Sequence, residues 1–378
     1  MSSTLRTALR RHDRLHPDGR AFHFYGALGG EFSASAPRHE PGAIHLRRDL
    51  LSDAWIGVSP ARNTRPGGLA DIDGAPATTT ASVASCPLCP GGPEVPFAFD
   101  AAVFDNRFPA LSPLVTGVST ETVAPAVGRC EVVVYTSDHE GSLSTLPPAQ
   151  VAKVVAIWRD RSGQLWDDGY GYVMAFENHG PEVGATLSHP HGQIYALPFV
   201  PPVIATKLSA HRDHRRRHGA CLGCDLVAGD DRSDRGVRHD ASFSVAVPFA
   251  ARWPFEVHLR ARRHGCGRLA DLTDDEALDL AKAIQDVTLR YDGLFGFELP
   301  YLLCVQEAPD DAPDWHLHVE LLPPHRDADR LKVRASVETA LGVFLNDTLP
   351  ERSAARLAGV SIPTSSWHEV VVPNVHHA

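Results

Sequence analysis

Ser188-His189-Pro190-His191-Gly192-Gln193 sets two imidazoles and a carboxamide within a few residues, and His316-Leu317-His318-Val319-Glu320 repeats the H-x-H spacing downstream. Working outward from each, the same landmarks return in the same order. Cys86-Pro87-Leu88-Cys89 and the β-rich run Gly128 to His139 precede the first stretch, and Cys221-Leu222-Gly223-Cys224 and the run Trp253 to His264 precede the second. A helix opened by Pro147-Pro148, with apolar residues at Val151, Val154, Val155, Trp158 and Leu165, follows the first run. A helix opened by the capping-box pattern Thr273-Asp274-Asp275-Glu276 follows the second. It carries Leu278, Ala281, Ile284, Val287 and Tyr291 on one face. Strands are expected at Tyr170 to Phe176 and at Tyr301 to Val305, each leading into its H-x-H. The intervals agree: 50 and 40 residues from the second Cys to the His, then 50 and 52 to H-x-H. This is an internal duplication of a strand–helix–strand unit, and it predicts an α+β fold with sheets covered by helices on one face.

The boundaries follow. Residues 1–45 read as an N-terminal extension whose segment Arg20 to Tyr25 adds an edge strand. Residues 46–205 read as the catalytic repeat, and 206–378 as the second repeat with a C-terminal segment whose helical periodicity resumes over 326–358. Residues 60–82 and 225–240 read as loops. The chain has 378 residues, 43% hydrophobic and 22% charged, as in globular proteins, and carries a net charge of −10. That charge argues against a general nucleic-acid surface. No apolar run reaches membrane-spanning length, and the basic N-terminus lacks an apolar core, so a cytoplasmic location is expected. Of the seven cysteines, four form the two C-x-x-C pairs, which in a reducing compartment read as metal or redox sites. Cys130, Cys266 and Cys304 are expected in the core.

Zinc requires four soft or borderline ligands in a tetrahedron, and C-x-x-C presents two thiolates from one tight turn. Cys86, Cys89, His139 and His189 form one candidate quartet, and Cys221, Cys224, His264 and His316 form the second. The plain alternatives are reduced thiol pairs, or a decayed second site. His191 is the candidate nucleophile: a neutral imidazole attacks phosphorus well and leaves well from a phosphoramidate. Gly192 permits a close approach by a carbonyl or phosphate. Gln193 shares the strand face of His191 and can donate to a phosphoryl oxygen without adding charge. If both histidines were ligands alone, no catalysis would follow. Against that, the second repeat replaces Gln193 with Glu320, whose carboxylate would repel phosphate. Arg62 and Arg65 form a pair able to grip a diphosphate or a merely solvated loop. Asn106-Arg107-Phe108-Pro109 and Phe176-Glu177-Asn178-His179-Gly180 could each read a base or ribose, or each be only a turn. Arg212 to His218 reads as a solvated helix face. No Rossmann or P-loop pattern is present.

These motifs, with Asn106-Arg-Phe-Pro-Ala-Leu111, Ser137-Asp-His139, Phe176-Glu-Asn178 and Phe249-Ala-Ala-Arg-Trp-Pro-Phe255, resemble the galactose-1-phosphate uridylyltransferase family of the histidine-triad-like superfamily, from about Leu46 to Leu357. The resemblance implies two tandem histidine-triad-like repeats with antiparallel-rich sheets. It implies a uridylylated His191 with Gln193 as phosphoryl partner, and zinc as cofactor. It puts Arg62, Arg65, Asn106, Asn178, Gly184, Thr186, Lys332 and Glu338 at nucleotide-sugar positions. UDP-glucose and galactose-1-phosphate are the implied substrates. A homodimer is also implied, with Arg62, Arg65 and Lys332 acting in trans. The chain departs from familiar bacterial members in three places. Lys207, Gln306, His318 and Glu320 stand where those members build a second, Glu/His metal site. The Lys332 to Glu338 segment lacks the usual glycine and aromatics, and Thr186 replaces a common Ser. The second C-x-x-C site is more like relatives acting on ADP-sugars. An adenylyl-transferring relative such as an ADP-sugar phosphorylase is thus the enzyme alternative, and a zinc-stabilised nucleotide-binding protein the non-enzyme one.

Overall fold

A computed structural model describes residues 8–32, 39–65, 86–363 and 366–377. In chain order the first part contains β1 (Ala8–Leu15), β2 (Ala21–Tyr25), β3 (His45–Asp49), β4 (Ala54–Val58), β5 (Ala101–Asp105), β6 (Val123–Pro125), β7 (Arg129–Val134), α1 (Pro148–Asp167), β8 (Tyr172–His179) and β9 (His191–Leu197). The remainder contains α2 (Pro202–His218), α3 (Leu222–Asp231), β10 (Gly236–Arg238), β11 (Phe243–Ala246), β12 (Val257–Ala261), α4 (Asp274–Phe295), β13 (Tyr301–Gln306), β14 (His318–Leu322), β15 (His325–Asp327), β16 (Arg330–Leu331), α5 (Ser336–Leu341), α6 (Pro350–Ala358) and β17 (Asn374–His377).

Twelve strands form one sheet in the order β10-β11-β12-β14-β13-β8-β9-β7-β5-β2-β1-β17. All ladders are antiparallel except β1 with β17. The two halves join where β8 meets β13, with Glu177 opposite Leu303 and Phe176 opposite Cys304. A mixed α+β architecture results, as the sequence predicted.

Alternation along the strands decides which face is which. Val173, Ala175, Ile194, Ala196, Leu303, Val305, Val319 and Leu321 point to one face and share a core with Val154, Trp158, Leu280 and Ile284 of α1 and α4. Those two helices pack against each other, as their apolar stripes require. Thr273 caps α4: its hydroxyl accepts from the Glu276 amide at 3.2 Å, and the Glu276 carboxylate accepts from the Thr273 amide at 2.8 Å. The helices α2 and α3 contact the opposite face of the second half, where Lys207 reaches β14 and Asp230 reaches Arg260 of β12 at 2.6 Å. In the first half that face is left for the cavity described below.

Two local expectations change. The segment around Arg20 to Tyr25 is not an edge: β2 is flanked by β1 and β5, and the edges are β10 and β17. Both sides of the β2 backbone are paired, to β1 and to β5, and Phe22 and Phe24 are buried. Within 225–240, residues up to Asp231 belong to α3, whose Val227 and Asp230 are buried. In the other predicted loop, Pro60–Thr64 forms a short 3-10 helix, and 66–82 lie outside the described residues. Among the described residues no helix is long and apolar enough to cross a membrane.

Candidate active site and metal centres

Residues His191, Gln193 and Tyr195 alternate with the core-facing Gly192, Ile194 and Ala196 along β9, so their side chains emerge on the face away from α1. There they line a cavity of about 600 Å³ together with Arg62, Arg65, Asn106, Asn178, Gly184 and Thr186. The first-half catalytic and substrate-site residues expected from sequence are therefore gathered into one place. His191 Nδ1 lies 2.8 Å from its neighbour's carbonyl, His189 O, so Nδ1 carries the hydrogen and Nε2 keeps its lone pair. Burial lowers the His191 pKa, which keeps the ring neutral. The Asn106 amide donates to Gln193 Oε1 at 3.5 Å, orienting the Gln193 amide nitrogen away from it. Arg62 donates to the Phe108 carbonyl at 3.2 Å and to the Tyr195 hydroxyl at 3.3 Å.

The remaining walls were less legible. Leu88, Phe104, Phe108 and Phe176 supply apolar surface suited to a base, and Arg107 and Glu94 supply charge. Tyr195 went unremarked, although its position two residues beyond Gln193 puts it on the same strand face. Arg62 and Arg65 line the cavity of their own chain. Lys332 and Glu338 do not line it. They form a buried ion pair of 2.7 Å within the C-terminal segment.

Gly192 has a specific cause. A Cβ built there would lie 2.2 Å from the Tyr135 hydroxyl and 2.9 Å from the Phe176 carbonyl. The close carbonyl was expected, and the buried tyrosine was not. Tyr135 is fully buried and donates to Glu177 at 3.2 Å, so it has nowhere to retreat. Gly192→Ala is expected to destabilise the fold by about 2–3 kcal/mol, and the double change with Tyr135→Phe to recover part of that loss. Denaturant unfolding of the single and double variants measures both.

The two Cys/His quartets assemble as the repeat predicts. In each, four potential ligand atoms lie within 4.8 Å of one another. His139 Nδ1 is 3.2 Å from Cys89 Sγ, and His189 Nδ1 is 3.5 Å from the same sulfur. His189 Nε2 lies 2.8 Å from Thr136 O, which fixes the tautomer and aims the Nδ1 lone pair at the thiols. Burial and the neighbouring Cys86 push the Cys89 thiol up to about 11, a pair of sulfurs that a divalent cation would hold as thiolates. In the second quartet His316 Nε2 lies 3.4 Å from both Cys221 and Cys224, and Nδ1 is held by Ala261 O at 2.7 Å. The backbone is shaped for both sites. A Cβ on Gly92 would meet three carbonyls of the first C-x-x-C turn within 2.9 Å, and one on Gly223 would sit 2.3 Å from the His316 ring. The donor chemistry and the space both fit a four-coordinate metal.

In the second repeat, His318 Nδ1 is tied to His316 O at 2.9 Å, as His191 is to His189. There Lys207 lies 3.1 Å from His318 Nε2 and 2.6 Å from Glu320. An ammonium thus fills the position that in the first repeat is open cavity.

Comparison with known proteins agrees with this geometry. The family model for the N-terminal domain of galactose-1-phosphate uridyl transferase matches residues 35–201, and that for the C-terminal domain matches 207–375. The galactose-1-phosphate uridylyltransferase of Thermotoga maritima is 39% identical over 324 residues, covering 83% of this chain and 98% of the relative. That of Streptomyces lividans is 36% identical over 300 residues, 73% and 79% of the two chains. A solved uridylyltransferase structure superposes with a TM-score of 0.73 at 33% identity, covering 83% of this chain and 97% of the other. An ADP-glucose phosphorylase from Arabidopsis thaliana shares the fold, with a TM-score of 0.64 at 24% identity. With both domain models matched along most of its length, and a histidine-triad-like fold in common, the chain belongs to the galactose-1-phosphate uridylyltransferase family.

Proposed function

We propose that the chain transfers UMP from UDP-glucose to galactose-1-phosphate in two displacements at His191. The observation that carries this reading is the tethering of His191 Nδ1 to His189 O, which leaves Nε2 free beside the cavity shared by Gln193, Asn178, Thr186 and two arginines. His191 Nε2 attacks the α-phosphorus, and glucose-1-phosphate leaves. Galactose-1-phosphate then attacks the uridylyl-histidine and UDP-galactose departs, restoring the neutral ring. The attacking phosphate is already an anion, so no strong general base is required. Gln193 and Asn178 offer amides to the phosphoryl oxygens, and Arg62 and Arg65 offset the diphosphate charge. We assign catalysis to residues 46–205 and the supporting repeat to 206–378, with 1–45 as an extension.

Zinc is the metal this reading assigns to both quartets. Four protein ligands leave no open position, so it holds structure and takes no part in the transfer. All seven cysteines are free, in keeping with a cytoplasmic setting. Mass spectrometry after mixing the protein with UDP-glucose or with ADP-glucose tests the reading. A mass increase of one UMP from the first is expected, and an AMP adduct from the second alone would assign the chain to adenylyl transfer.

The C-terminal segment points to a dimer. Leu331, Val333, Val337, Leu341, Val343 and Leu345 are all exposed around the buried Lys332–Glu338 pair. An apolar surface of this kind asks for a partner, and a second copy would bring Lys332 toward the neighbouring cavity. Mixing inactive His191→Ala chains with Lys332→Ala chains is expected to restore part of the activity. Full activity in a protein that sediments as a monomer would exclude this arrangement.

A further inference from the structure

We propose that Glu177 and His179 are positioning residues of opposite charge that act on the His191 ring from the core side of the sheet and balance its uridylylated and free forms. The inference rests on His191 being the nucleophile. Along β8 the side chains alternate. Phe176 and Asn178 line the large cavity, and Glu177 and His179, with Asn178 again, line an adjoining cavity of about 290 Å³ that also reaches His191. The strand β8 pairs with β9, with Phe176 opposite Gln193, so Glu177 is held beside the backbone next to the nucleophile.

Glu177 is 3% exposed and is fixed by three donors. The Tyr135 hydroxyl donates to it at 3.2 Å and the Tyr301 hydroxyl at 3.3 Å, and His179 Nδ1 lies 3.5 Å away. His179 Nε2 lies 3.2 Å from Glu298, and its ring stacks on Tyr301 at 4.8 Å between centroids. Burial works against a charge on His179, but its hydrogen bonds with Glu177 and Glu298 outweigh that, and its pKa rises to about 10. The ring is therefore an imidazolium at neutral pH. Gly192 leaves the gap through which the Tyr135 hydroxyl reaches Glu177. Glu177, His179 and His191 line the same cavity, so charges of opposite sign stand near the His191 ring.

The chemistry makes use of such a pair. The Nε2 lone pair forms the N–P bond, and the P–O bond to the sugar phosphate breaks with its electrons leaving on that phosphate. The ring keeps its Nδ1 hydrogen on His189 O and so becomes cationic. A fixed carboxylate nearby favours that cation, and a fixed imidazolium opposes it. A transferase with two half-reactions needs an adduct that is neither too stable to pass on nor too unstable to form. Opposed charges on the rigid side of the sheet supply that balance without touching the substrate.

The test measures the equilibrium fraction of nucleotidylated enzyme in mixtures of UDP-glucose and glucose-1-phosphate. Glu177→Gln is expected to lower the adduct equilibrium constant about tenfold, and His179→Asn to raise it about tenfold. Tyr135→Phe and Tyr301→Phe remove hydrogen bonds but no charge and are expected to leave the constant within about twofold. A purely structural role would move both charge variants in the same direction, or let a Tyr→Phe change reproduce Glu177→Gln, and either result overturns the proposal. If Glu177→Gln does not fold, His179→Asn still decides by the sign of its effect. Wild-type enzyme that forms no adduct at all would instead refute the assignment of His191, a distinct outcome.

Discussion

Replacing His191 with glycine is expected to lower UMP transfer by at least about 10⁴-fold while UDP-glucose still binds. The cavity walls come from other residues. Arg62 and Arg65 come from the Pro60–Thr64 segment and its end, Asn106 and Phe108 from the loop after β5, and Phe176 from β8, so the walls do not depend on the imidazole for their placement. Arg62 is held by Phe108 O and Tyr195, and Asn106 takes its own anchor from the Phe108 amide at 2.8 Å. The glycine should therefore open space next to Nε2 without collapsing the site. What disappears is the Nε2 lone pair that the tethering of Nδ1 to His189 O leaves free beside the cavity. Binding measured by calorimetry should change by less than about tenfold, since ground-state contacts are retained. Mass spectrometry should show no nucleotidyl adduct. A covalent adduct persisting in this variant would move the nucleophile elsewhere and end the double-displacement scheme.

Much of this site could be read from the chain because each half carries its chemistry in short, local spacings. C-x-x-C, H-P-H-G-Q and the strand alternation of His191 with Gln193 are properties of a few consecutive residues. The fold brings them together as the repeat demands. What escaped reading depends on long-range contacts. The glycine at 192 is set by Tyr135, which lies 57 positions earlier on a different segment. Arg20 to Tyr25 has the composition of an edge strand, and only the docking of β1 and β17 beyond it makes it internal. The resemblance already grouped Lys207 with His318 and Glu320, but its contacts with them become visible only in the packing of α2 on β14. Charges of opposite sign at 177 and 179 look like an ordinary turn until Tyr135 and Tyr301 are seen to bracket them.

Metal removal should separate the two quartets. Cys86 and Cys89 belong to a small core with Phe22, Phe24, Phe104 and Val134, and the adjoining Pro87, Leu88, Pro93 and Glu94 form one wall of the large cavity. Losing that metal releases two thiols beside each other in a buried turn and frees the wall that closes on the nucleotide. Cys86→Ser is therefore expected to cost roughly 5 kcal/mol or more, lower the unfolding temperature by about 10 °C, and abolish most activity. Cys221 precedes α3, and its partner His316 leads into β14, three strands from β9 in the sheet, among residues that line no part of that cavity. Cys221→Ser is expected to lower the unfolding temperature by a similar amount while leaving the rate of uridylyl-enzyme formation within about threefold. Elemental analysis of protein purified without chelator should give two zinc per chain, and one in each variant. Equal loss of activity in both variants would mean that the second quartet also shapes the catalytic cavity. A fully active, fully stable metal-free protein would mean that neither quartet binds metal.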